Sequence, residues 1–348
     1  MKTSSVRNTM LVLLVGLAII TVFASTAVLA QDKTYELRVA TYVPPISHIG
    51  KTVDWWIAEL GKKTGGKVKA TSYHSETLGK APDSLNMLNS GTANVCLFPA
   101  AAIPGRFPIT ELVTDTPMLR GIMKAEEELM NRLLSAGMLK EYEGFKVMGW
   151  FPIDPMMLFT TKKVTTLEDL KGLKIRARGR ASSLLLEKLG TVPVSLEVGE
   201  LYTALERKSV DGVLTCMSAY MPFKLQELCD YTLDEPLLGG MAPMLMSGRT
   251  WNSLPQDIQL TIEQLNKELS LVFYNNTMEV VKVAYGVASQ GKRQITKLNP
   301  SDGDKLQKVL VLVIGEFLEK VNAQGLPGTE VQKKGNEVME LWNSGKLK

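Results

Sequence analysis

The chain is poor in the residues that carry most enzymatic and metal chemistry. Its 348 residues hold two histidines, His48 and His74, and three cysteines. Neither histidine has a second metal ligand at a useful spacing, so no zinc motif can be assembled. G-x-S-x-G, P-loop and G-x-G-x-x-G sequences are missing, which removes the familiar hydrolase and nucleotide-binding signatures. A Ser/His/Asp set drawn from distant positions has nothing to mark it. We therefore expect a protein that is not an enzyme, with no catalytic residue, no metal and no cofactor. Charge of one sign is also lacking, with Lys+Arg 40 against Asp+Glu 36, net +4. Such a balance predicts no polyanionic partner and no nucleic acid.

One long apolar run exists, at the N-terminus. Lys2 and Arg7 precede Met10 to Ala24, and Val28-Leu-Ala30 supplies small residues before polar Gln31-Asp-Lys33. This is the pattern of a secretory signal peptide, residues 1–30, cut after Ala30. No cysteine follows the apolar run, which argues against a lipid anchor. Loss of Lys2 and Arg7 takes the net charge from +4 to about +2. The next apolar run, Val309 to Ile314, is far too short to span a bilayer, so the mature chain is expected to be periplasmic and not membrane-embedded. Of Cys96, Cys216 and Cys229, the pair to test for a disulfide is Cys216–Cys229; buried thiols are the alternative.

The remainder reads as alternating strands and helices. Tyr35–Thr41 alternates as a strand, and Ile49–Lys63 is an amphipathic helix that Ser47 can cap and Thr64-Gly-Gly66 ends. Trp56 lies on its core face; Trp55 points the other way, to a cleft or to solvent. Strand 67–73, helix 83–90 and buried strand 94–98 complete the grammar of a parallel sheet. After an irregular stretch to Arg120, residues 124–140 read as helix and 145–150 as strand, and Phe151-Pro-Ile-Asp-Pro155 marks a crossing. The pattern then restarts: strand 173–177, helix 181–189, strand 192–196, helix 199–208, strand 210–216. Two similar α/β units imply two lobes with a cleft between them. Ser253-Leu-Pro-Gln256 reads as a capping box that opens a helix running to about Ser289, long enough to brace both lobes. Helices 304–322 and 330–344 finish the chain. We assign 31–154 and 242–280 to lobe I, and 155–241 and 281–348 to lobe II.

The segment around which this is organised is Thr166–Arg180, TLEDLKGLKIRARGR. Arg176 ends a short strand just before a helix, where open α/β sheets bind ligands. Its guanidinium keeps its proton and offers a planar fork that suits a carboxylate. Arg178 has the spacing of the same strand face, but the strand is ending and solvent exposure is expected.

Leu170-Lys-Gly-Leu-Lys-Ile-Arg176, Glu200-Leu-Tyr-Thr-Ala-Leu205 and Val210-Asp-Gly212 resemble the solute receptors of tripartite ATP-independent periplasmic (TRAP) transporters. Thr64-Gly-Gly-Lys-Val68, Leu78-Gly79, Trp150 and Trp251–Pro255 fit the same pattern, so the resemblance covers nearly the whole mature chain. It implies a periplasmic binding protein-like α/β fold, two lobes around a ligand cleft with a long connecting helix. It also implies a small organic anion as ligand and integral-membrane TRAP permease subunits as partners. The family's carboxylate-clamping arginine matches Arg176. Other ligand positions depart from the acid-binding pattern. Thr215 stands near a common asparagine, Met156 at a second arginine, and Val198 at an aromatic residue.

These departures replace polar groups with apolar ones, and Met217 and Met241 are further candidates for the pocket beside Met156, with ordinary core packing the alternative. Thioethers adapt to irregular apolar ligands and contact aromatic rings well. The expected ligand is an organic monocarboxylate with an aromatic, aryl or indolyl tail. The alternatives are an exported ligand-sensing subunit of a signalling receptor, or a two-lobe exported hydrolase.

Overall fold

The computed structural model describes residues 33–347. The signal peptide and its cut after Ala30 lie outside them.

The first lobe is built on a five-stranded sheet. β1 (Tyr35–Thr41) leads through Ser47, whose Oγ accepts from the Gly50 N–H, into α1 (His48–Lys63). β2 (Val68–Tyr73), α2 (Ser84–Ser90) and β3 (Val95–Leu97) follow, giving parallel neighbours β2-β1-β3. Between β3 and α3 (Met123–Ser135) lies a compact stretch that includes a π-helical turn, Glu111–Asp115. α3 is shorter than the 124–140 expected, because Gly137 takes a left-handed φ of +68°. β4 (Phe145–Pro152) then runs out of the lobe.

The second lobe holds β5 (Met156–Thr160), β6 (Lys174–Ala177), α4 (Gly179–Lys188), β7 (Val192–Ser195), α5 (Leu201–Glu206), β8 (Gly212–Cys216) and β9 (Tyr231–Leu238). The chain returns through Gly239-Gly240 into β10 (Met241–Ser247), which lies between β3 and β4 of the first sheet. Neither β9 nor β10 was legible as a strand. Pro243 sits within β10, where a central-strand proline is unexpected. β3 pairs only with Met244–Met246, so Pro243 is matched on the β4 side alone, by Trp150, next to a register shift.

α6 (Gly248–Ser253) precedes α7 (Gln256–Ala288), β11 (Gln294–Thr296), α8 (Pro300–Ala323) and α9 (Gly328–Asn343). The second sheet thus has the order β11-β9-β5-β8-β6-β7. The capping box at Ser253 does not form. Ser253 ends α6 and its Oγ donates to the Thr250 carbonyl, while Pro255 precedes α7 without a side-chain cap. Ser247 is the serine that caps, accepting from the Thr250 N–H.

Four passages join the lobes. Two are adjacent: β4 into β5 through 153–155, and β9 into β10, tied by the Ile153 N–H donating to the Gly240 carbonyl at 2.7 Å. The other two are helices. Along α7, Ile258, Ile262, Leu265, Leu269 and Phe273 enter the first lobe's core, and Ala284 and Ala288 enter the second's. Along α8 the order reverses, with Leu306, Leu310 and Val313 in the second lobe and Phe317 and Val321 in the first. α9 then packs Val331 and Val338 beside Leu129 and Leu133 of α3. The end of α8 and α9 thus pack on the cluster that holds α3. Helical periodicity identifies the buried stripe, but not the partner that covers it.

Cys96, Cys216 and Cys229 are all free and buried, so the Cys216–Cys229 pair does not form. Cys216 ends a central strand and bonds Ser218; Cys229 is packed in a separate apolar cluster with Phe159 and Tyr220.

Candidate functional site: the cleft between the lobes

Two connected chambers lie between the sheets. The inner one, of ≈ 60 Å³, is walled by residues of both lobes; the outer, of ≈ 650 Å³, shares part of that lining. Tyr42, Pro99, Arg176, Arg178, Val198 and Phe223 line both. These residues lie at or beyond the carboxyl ends of β1, β3, β6, β7 and β8, the rim on which open α/β sheets place ligands.

Arg176 is the floor of the site. It is 1% exposed, an extreme for a residue that almost always reaches solvent. Its Nε donates to the Leu196 carbonyl at 2.8 Å and its Nη1 to the Leu214 carbonyl at 3.3 Å. β6 lies between β7 and β8, so the flanking chains supply both acceptors and fix the plane of the guanidinium. Among the described residues no carboxylate lies within ion-pair reach of it. Burial pushes its pKa down to about 9, and the neighbouring Arg178 adds to the depression. A buried cation with backbone acceptors but no counterion is the arrangement that an anion completes.

Arg178 behaves differently. The expectation of solvent exposure is overturned: its Nη2 donates to Asp115 Oδ1 at 2.7 Å, and its side chain is 13% exposed. The strand does end there, but Gly179 at φ +79° turns the chain toward the first lobe, where a Cβ at that position would meet the Ala101 Cβ at 3.3 Å. That close approach carries Arg178 across to the π-helical turn. Gly240 is part of the same packing, since a Cβ there would meet Arg178 Nη2 at 2.3 Å.

Thr215, Met156 and Val198 line the inner chamber. Thr215 is buried on β8, and its hydroxyl makes no hydrogen bond with the described residues. Met217, Met241 and Trp55 are placed elsewhere. Met217 follows β8 but turns into the cluster of Phe159, Tyr220 and Ala284. Met241 is fully buried in the first lobe with Trp150 and Leu245. Trp55 packs at the edge of the α1–α7 core, beside Trp56, whose Nε1 donates to Asn266 Oδ1.

Several residues in or beside the chambers carry no sequence motif. His48, the first residue of α1, lines the inner chamber at 6% exposure with its Nδ1 unpartnered. Burial pushes its pKa down to about 4, so the imidazole is neutral at pH 7. Tyr42 lies at the end of β1, and burial raises its phenol pKa. Asp154, in the β4–β5 passage, is buried and accepts from the Ser218 N–H at 3.1 Å and from the Ser218 hydroxyl. Burial raises its pKa. Its partner Ser218 is thereby turned inward to the passage. The strand-end rule applied to β1 points at Tyr42 to His48; no local pattern points at Asp154.

The family model for DctP, described as bacterial extracellular solute-binding protein, family 7, matches residues 39–320. A solute-binding protein of Verminephrobacter eiseniae is 25% identical over 296 residues, 84% of this chain and 87% of that protein. A TRAP periplasmic solute binding protein from Desulfovibrio salexigens superposes with a TM-score of 0.74 at 25% identity, covering 87% of this chain and 95% of its own. A marine metagenome TRAP solute binding protein specific for aromatic acid ligands, in complex with metahydroxyphenylacetate, superposes at 0.81 with 21% identity, covering 88% and 98%. One from Sulfitobacter sp. NAS-14.1 with bound β-D-galacturonate gives 0.77 at 19% identity, covering 86% and 99%.

Proposed function

The chain belongs to the DctP family of bacterial extracellular solute-binding proteins, and from that premise we propose that it captures an organic monocarboxylate with an aromatic tail in the periplasm and delivers it to TRAP permease subunits in the membrane. The observation that carries the ligand class is Arg176, buried and without a carboxylate partner among the described residues, at the floor of a chamber whose other walls are largely apolar. Val43, Ile49, Ile153, Met156, Val198 and Phe223 supply those walls. A carboxylate bound by the Arg176 fork leaves its tail against them, and burial of that tail drives binding.

The pairing of Arg178 with Asp115 supports a single anionic group. A second ligand carboxylate would need its own cation in the closed cleft, since an unpaired buried charge is costly. The aromatic-acid specificity of the metagenome receptor is consistent with the same reading, while the galacturonate bound by the Sulfitobacter receptor shows that this fold also takes sugar acids. The family's role as transport receptors argues for binding without turnover.

A thermal-shift panel of aryl acids, short hydroxy acids, dicarboxylates and sialic acid tests the ligand class. Mass spectrometry of whatever small molecule is released from the purified protein complements it. Aryl acids are expected to raise the melting temperature. Stabilisation by dicarboxylates or sialic acid, with every aryl acid inert, refutes the proposal.

A further inference from the structure

His48 lines the inner chamber from the lobe opposite Arg176, and its buried Nδ1 has no hydrogen-bond partner among the described residues. A buried, unsatisfied ring nitrogen is unfavourable, and buried polar side chains rarely lack a partner. Of the hydroxyls that line the chamber, those of Ser47 and Ser218 are already engaged, while those of Tyr42 and Thr215 have no partner among the described residues. Ser47 Oγ donates to the Pro44 carbonyl at 2.7 Å and accepts from the Gly50 N–H at 3.0 Å. Across the chamber, Ser218 is held by Asp154. The ring of His48 packs against that of Phe273 on α7, with centroids 5.7 Å apart. Such packing limits the freedom of the imidazole before any ligand arrives, which lowers the entropy lost on binding.

A neutral imidazole offers one N–H and one lone pair. It has no charge with which to compete for the carboxylate, which Arg176 takes. What it can recognise is a neutral group that both donates and accepts, and a hydroxyl does both. We infer that His48 is a specificity-determining residue that hydrogen-bonds a hydroxyl on the aromatic end of the ligand, so that the preferred solutes are hydroxyaryl acids. The inference rests on the aryl-acid reading of the cleft. Tyr42 is the competing reader of such a group, since its phenol also borders the chamber.

The test uses phenylacetate and its three monohydroxy isomers, titrated calorimetrically into the wild-type protein and into His48→Phe, His48→Gln and Tyr42→Phe. At least one isomer is expected to bind the wild type about tenfold tighter than phenylacetate, the worth of one hydrogen bond in a dry site. That ratio should fall to near one in His48→Phe, which keeps the ring and removes both hydrogen-bonding nitrogens, and recover in part in His48→Gln. Should His48→Phe fail to fold, the wild-type ratio and His48→Gln still decide. The inference is overturned if no hydroxy isomer outbinds phenylacetate in the wild type, if the preference survives His48→Phe, or if only Tyr42→Phe removes it. Equal binding of phenylacetate and its hydroxy forms leaves the aryl-acid reading standing; failure of all four to bind sinks both.

Discussion

Arg178 Nη2 stands 2.7 Å from Asp115 Oδ1, and the two residues come from different lobes. Arg178 follows β6 in the second; Asp115 ends the π-helical turn of the first. The pair is a direct electrostatic tie across the cleft. Asp115 has a second acid close by, because Glu126 is buried behind it and accepts from the Gly121 N–H at 3.1 Å. Burial and then the Asp115 charge hold the Glu126 carboxyl well above the usual range, and burial raises the Asp115 carboxyl as well, against the lowering effect of Arg178. Removing the arginine leaves Asp115 buried and alone. Arg178→Ala is expected to destabilise the protein by about 3–5 kcal/mol. Asp115→Ala should act similarly, and the double variant should recover at least 1 kcal/mol of the summed loss. Urea denaturation of the four proteins checks this; strict additivity would show that the tie contributes nothing.

Arg176 is expected to trade stability for binding. With no counterion among the described residues, its charge is an uncompensated burden in the ligand-free protein. Arg176→Met should raise the stability of the ligand-free form by roughly 1–2 kcal/mol and abolish acid binding. Arg176→Lys should also lose about 2–5 kcal/mol of binding, because an ammonium lacks the planar fork. Calorimetric titration with any acid found in the panel, beside thermal melts without it, reads both quantities. A Lys variant that binds as the wild type does would remove the bidentate argument.

Two buried groups give stability a pH dependence of opposite sign. His48 is pushed from 6.5 down to about 4, so the unfolded chain binds its proton more readily. Its contribution is complete above pH 6.5 and is lost as the pH falls toward 4. Glu111 is pushed by burial from 4.5 up to about 7, so the folded chain holds its proton more readily. Its contribution is complete below pH 4.5 and is lost as the pH rises toward 7. Glu111→Gln keeps an oxygen for the Gly105 N–H and removes the titration. Relative to wild type it should gain up to about 3 kcal/mol between pH 4.5 and 7. A difference curve that is flat across that window would contradict the assignment.

The three cysteines should be silent in the native protein. Each is buried, and burial pushes all three thiols up to about 12. The thiolate is the reactive form, and it is scarce at pH 8 under those conditions. Ellman's reagent should therefore find no fast-reacting thiol in the folded protein and three in guanidinium chloride. One thiol after unfolding would mean that a disulfide exists.

Gly239 is expected to tolerate no side chain. A Cβ there would stand 1.8 Å from Glu126 Oε1 and 2.9 Å from the Gly121 nitrogen. Gly239→Ala must displace the carboxylate that braces the β9–β10 passage, at a cost of about 1–3 kcal/mol. Thermal melts check it; an unchanged midpoint would mean that the passage yields freely.

Local pattern determined much of this protein. The alternation of Tyr35–Thr41, the apolar spacing from Ile258 to Leu269 and the strand-then-helix placement of Arg176 each depend on a few consecutive residues, and each was legible. What depends on distant packing was not. The sequence spacing that put Arg178 and Arg176 on one face is blind to Asp115, 63 positions away, which decides where Arg178 points. Met156 and Met217 have the same chemistry and flank the same cleft, yet one lines the chamber and the other fills the core, because the turn after β8 aims Met217 at α7. His48 carries no motif at all. It lies at the cleft because the carboxyl end of β1 and the start of α1 fall on the sheet rim, and its missing partner is visible only when every neighbour is in place. Propensity and periodicity act over one or two turns of chain. The identity of a side chain's neighbours is set by which elements pack together, and that is decided by the whole chain at once.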